Sequence, residues 1–286
     1  MSYCAVLPRL LSLLALAMTL ALPAWGSESL AEKSLRETVA RERDLFARAE
    51  AEGEHLDDAR FVGDAKAVAG SYDVLIQKNP TFAPAFVAYG MFLGKIDMNR
   101  AAVAMFLRAN KLDPHIPLVK NQLAKHLAED GKPLEALPYL LAAIDLAPGE
   151  PLYHLHLASL LLAGRDDFIL SGEWTRVALD QAMLEAFQRG ADLAAGDFSY
   201  AYQHAKAYYE VEPPRWEEAL GVWEKLGARA ATTSTKQLVK LHRANVLVQL
   251  DRIVEARALL DEVTDLQLMG EKKPVLEAIA AKRPTQ

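Results

Sequence analysis

The chain has 286 residues, a hydrophobic fraction of 51% and a charged fraction of 24%, which excludes wholesale disorder. Its 15 glycines and 14 prolines are too few for a collagen-like or low-complexity chain. A net charge of −6 argues against a general nucleic-acid binder, which needs clustered Lys and Arg to neutralise phosphate.

Residues 1–26 read as a secretory signal peptide. Arg9 supplies the positive flank, and Leu10 to Leu22 is an uncharged apolar run. As a helix it spans about 20 Å, too short for a bilayer core of roughly 30 Å. Pro23 breaks the run, and Ala24-Trp25-Gly26 puts small residues at −3 and −1 of a cut before Ser27. The single cysteine, Cys4, leaves with this segment, so the mature chain has neither a disulfide nor a thiolate. No cysteine stands at the cut to carry a lipid. The expectation is a periplasmic or secreted protein of net charge −7, with no stable membrane insertion after cleavage.

From residue 27 onward the dominant signal is a period of 34. Pro80, Pro114 and Pro148 close three similar phrases: Gln77-Lys78-Asn79, Lys111-Leu112-Asp113 and Asp145-Leu146-Ala147. Twelve residues before each proline stand Val68, Ala102 and Ala136. Eight before stand Tyr72, Phe106 and Leu140. A second pattern starts each unit: Phe86-x2-Tyr89-Gly90-x2-Leu93, Lys120-x2-Leu123-Ala124-x2-Leu127 and His154-x2-Leu157-Ala158-x2-Leu161.

These residues resemble the tetratricopeptide repeat family. The resemblance implies an all-α fold, a right-handed α-solenoid of helix-turn-helix units. The small residues Gly90, Ala124 and Ala158 then sit where the first helix of a unit meets the second, letting the axes approach to the short end of the 8–10 Å range. Phe106 and Leu140 pack between units, and each proline starts the turn into the next because it cannot continue a helix.

In chain order, residues 29–59 read as one long charged helix entering the first unit, and Ala65 to Lys78 as that unit's second helix. After Leu161 the register breaks, which predicts an insertion near 165–175 before an amphipathic run from about Val177 to Ala194. A fifth unit spans Phe198 to Gly227 with Ala219-x3-Trp223, and a sixth spans Thr235 to Val263 with Ala256-x3-Leu260. Glu271 to Lys282 reads as a capping helix, as open arrays require. The expectation for 27–286 is one continuous solenoid of about six helical pairs.

Catalytic patterns are missing from the sequence. His154 and His156 lie about 200° apart on a helix and cannot share an ion. No Gly-x-Gly-x-x-Gly, Gly-x-Ser-x-Gly or His-Glu-x-x-His pattern occurs. The chain is therefore read as a non-enzyme with no cofactor and no metal.

The resemblance further implies that the first helix of each unit lines a concave groove for a protein or peptide partner. The positions it points to include Val87 and Met91 in the second unit, Asn121, Gln122 and Lys125 in the third, and His156 and Ser159 in the fourth. Asn121 and Lys125 stand near the places of the family's two-carboxylate clamp. Val87 and Leu155 stand where neighbouring units would need polar groups, so the clamp is incomplete. The reading is an extracytoplasmic adaptor or scaffold. Its rivals are an envelope-assembly component of pilus or outer-membrane biogenesis, and a carbohydrate-associated protein using the aromatic stretch 198–223. Oligomeric state is left open.

Overall fold

The computed structural model describes residues 28–282. The signal-peptide segment lies outside the described residues. Among these there are fourteen α-helices, two short 3-10 turns and no strand. The helices are α1 (Leu30–Glu52), α2 (Asp58–Lys78), α3 (Ala83–Lys95), α4 (Asn99–Leu112), α5 (Pro117–Glu129), α6 (Pro133–Leu146), α7 (Pro151–Ala163), α8 (Arg165–Leu170), α9 (Arg176–Leu193), α10 (Phe198–Ala207), α11 (Trp216–Arg229), α12 (Thr233–Gln249), α13 (Ile253–Asp261) and α14 (Met269–Ala281). In every sizeable helix–helix contact the partners lie one or two places apart along the chain. That is the quasi-one-dimensional packing of a solenoid.

Local chemistry sets the boundaries. Ser29 accepts from the Glu32 amide while the Glu32 carboxylate accepts from the Ser29 amide, a capping box that starts α1. The long helix expected over 29–59 ends at Glu52, because Gly53 takes φ +52°, and α2 begins at Asp58, well before Ala65. Pro117, Pro133 and Pro151 stand at the starts of α5, α6 and α7, where a missing N–H costs nothing. α2, α4 and α6 end one residue before Asn79, Asp113 and Ala147, each held off helical geometry ahead of its proline.

The turns inside the second, third and sixth units share one geometry. Asp97, Gly131 and Asp251 have φ of 59°, 72° and 61°. Around them Met98, Lys132 and Arg252 donate their N–H groups to the carbonyls of Leu93, Leu127 and Leu247 at 2.9, 2.9 and 2.8 Å. This is the Schellman closure, and Gly or Asp tolerates the left-handed residue it needs. The equivalent position one period after Gly131 is Arg165. There the chain does not reverse. It continues as the short helix α8, and the second helix of the unit, α9, starts only at Arg176.

The core confirms the role of the small residues. A methyl group on Gly90 would lie 2.7 Å from the Phe106 ring. Ala102, Ala136, Ala158, Ala219 and Ala256 have no exposed surface. Phe106 also reaches the next unit, its ring 6.0 Å from that of His126. The buried side chains form two clusters that meet inside α5, one ending at Leu123 and the other beginning at Ala124.

Candidate functional site

A cavity of about 380 Å³ opens between α5 and α7, the first helices of successive units. Pro133 and Leu140 of α6 and Asp167 of α8 also line it. Of the groove residues expected from the sequence, Asn121, Lys125, His156 and Ser159 line it together.

Asn121 is only 1% exposed. Its Oδ1 accepts from Nδ1 of His156 at 2.7 Å, across a unit boundary of 35 residues. Its Nδ2 is buried without a partner. Burial first, then the nearby charge of Lys125, lowers the pKa of His156 and keeps the ring neutral. The Lys125 ammonium lies 3.7 Å from Glu129, whose other oxygen is 3.4 Å from Nδ1 of His126. Ser159 is exposed and donates to the Leu155 carbonyl one turn back at 2.9 Å.

Three expected groove residues lie elsewhere. Val87 is 3% exposed and belongs to the N-terminal core, and Met91 is half-buried against the same core. The apolar strip expected along α3 is therefore not an open surface. α1 packs against the same helix: Lys95 pairs with Glu42 at 2.7 Å and Phe46 sits 6.3 Å from Phe92. Gln122 is half-buried and does not line the cavity. Sequence reasoning missed Glu129 and Asp167, which also line it. The break in the 34-residue period at Arg165 was the available signal for Asp167.

The aromatic stretch is an interior cluster. Trp223 is fully buried and stacks on His242, with Tyr202 and Tyr209 against both. Tyr202 and Tyr209 place their hydroxyls 3.1 and 3.3 Å from the two ring nitrogens of His242. Tyr208 and Trp223 are buried, and Phe198, Tyr200, Tyr202, Tyr209 and Trp216 are half-buried. Among the described residues no group of three or more His, Cys, Asp and Glu side chains could hold a metal ion. No described helix is long and apolar enough to cross a membrane.

No family model and no curated protein matches the chain. Solved structures do. The C-terminal part of a TPR repeat-containing protein from Cytophaga hutchinsonii superposes with a TM-score of 0.60 at 14% identity, covering 87% of this chain and 97% of that one. YrrB, a TPR protein with an unusual peptide-binding site, gives 0.57 at 14% identity, over 73% of this chain and 98% of YrrB. PilF of Pseudomonas aeruginosa gives 0.54 at 13% identity, over 88% and 99%. The fold is that of the tetratricopeptide-repeat proteins, an α-solenoid of helix pairs.

Proposed function

We propose that the chain is a non-enzymatic adaptor or scaffold that binds a protein or peptide segment in the trough between its first helices, centred on the α5–α7 cavity. One observation carries this reading. The cavity is preformed, has an apolar floor and is lined by a few convergent polar groups, as binding sites commonly are. The YrrB structure, described as having a peptide-binding site, shares the fold and adds support by analogy. The extracytoplasmic location rests on the character of residues 1–26 alone.

Ser159 is exposed on the cavity wall, so Ser159→Trp fills the space without disturbing the core. Peptides selected from a random library on the purified protein should bind wild type and lose about tenfold or more in affinity for the variant, read by fluorescence polarisation. Full affinity in Ser159→Trp would falsify the groove assignment. The envelope-assembly reading is favoured only by the fold shared with PilF, and cell fractionation separates it: an assembly component sediments with membranes.

A further inference from the structure

The two ends of the α5–α7 cavity differ in chemistry. Along α5 the lining runs from Asn121 to Glu129, eight residues or about 12 Å of helix. At one end the Asn121 amide, shut off from water, holds an N–H donor without a partner. A buried donor left unmade costs on the order of 1–3 kcal/mol.

At the other end stand Glu129 and Asp167. Glu129 is shared between Lys125 and His126. The Asp167 side chain makes no hydrogen bond and no ion pair with any described residue and is exposed at the rim. Lys125 is the one ammonium or guanidinium group among the described lining residues, and His156 is held neutral, so the lining carries more negative than positive charge. Between the ends the floor is apolar, made by Ala124, Leu140 and Leu160.

Resting on the groove reading above, we propose that this cavity takes a lysine or arginine residue of the bound peptide. The residue's aliphatic stem lies on Ala124, Leu140 and Leu160, and its cationic head pairs with Asp167 beside Glu129. Long basic side chains bury their stems along apolar surface while the charge stays at the wet rim. A terminal carboxylate or an acidic residue meets the uncompensated Asp167 instead. The specificity is local to this junction, because Asp167 belongs to α8, the element that breaks the repeat.

The experiment compares N-acetylated, C-amidated pentapeptides Ala-Ala-X-Ala-Ala on the purified protein, with X lysine, arginine, norleucine or glutamate. Lysine and arginine should bind about tenfold tighter than norleucine, and glutamate should be weakest. Asp167→Asn with Glu129→Gln, both at exposed positions and checked by circular dichroism, should remove the preference. Equal binding of norleucine, a preference for glutamate, or a basic preference that survives the double variant overturns the proposal. If all four peptides are silent while a library-selected peptide is still blocked by Ser159→Trp, the basic-residue proposal falls and the groove stands. If that peptide also binds Ser159→Trp unchanged, both fall.

Discussion

The imidazole of His242 lies flat on the indole of Trp223, ring centroids 4.3 Å apart and planes within 9° of parallel. Both of its nitrogens face tyrosine hydroxyls, and the Tyr209 hydroxyl also donates to the His242 carbonyl at 3.2 Å. Burial first, then the charge of Lys206, pushes the His242 pKa down to about 4. The other groups around it are the tyrosines themselves and Glu271, which acts on Tyr202. A histidine with a depressed folded pKa stabilises the fold fully above its unfolded pKa of about 6.5 and loses that contribution as pH falls towards 4. The loss is on the order of 2–3 kcal/mol. Urea midpoints measured between pH 7 and 4 should fall more for wild type than for His242→Phe, which keeps the stack and removes the titration. Parallel pH profiles would refute the assignment.

Gly90→Ala should destabilise by about 1–3 kcal/mol, because the added methyl meets the Phe106 ring at 2.7 Å in a fully packed junction. Phe106→Leu should restore part of that loss in the double variant. Thermal unfolding followed by helical circular dichroism reads both, and strict additivity of the two single changes contradicts the contact.

Asp180 is buried between two guanidinium groups and anchors the irregular fourth unit. It accepts from Nε of Arg176 at 2.6 Å and from the Glu212 amide at 2.8 Å, with Arg165 at 3.4 Å. Asp180→Ala removes the buried carboxylate, while Arg176 keeps Glu212 and Arg165 keeps Glu210, and should cost about 1–3 kcal/mol. The segment 171–175 should become the first site of protease cleavage. Unchanged stability and unchanged digestion would show that the network contributes nothing.

N-terminal sequencing of the protein isolated from its native cells should begin at Ser27, with the material in the periplasm or medium. An intact N-terminus on cytoplasmic material rules out the export reading.

The repeating parts of the molecule are legible in sequence because each has a local cause. Pro80, Pro114 and Pro148 follow helix ends, although Pro138 and Pro274 sit inside helices, and a glycine or alanine at fixed spacing marks where two axes must come close, as Gly90 does beneath Phe106. The candidate site was half legible: the resemblance to the repeat family, applied to helix register, pointed to Asn121, Lys125, His156 and Ser159, which line one cavity. Register cannot say what lies above a face. Val87 and Met91 satisfy the same spacing, yet Val87 lies in the N-terminal core and Met91 packs against it. Asp167 reaches the cavity where the chain does not reverse at Arg165; the period breaks there, but spacing alone does not say which side chain the break brings to the cavity.

Because each helix leans only on its neighbours, the molecule has no keystone. A pull on its two ends is divided among the junctions, each opening slightly, so the array stretches like a spring before a helix lets go. The seam within α5, where one buried cluster hands over to the other, lies beside the cavity wall carrying Asn121 and Lys125. Tension along the array therefore changes the width of the very trough proposed to hold the partner.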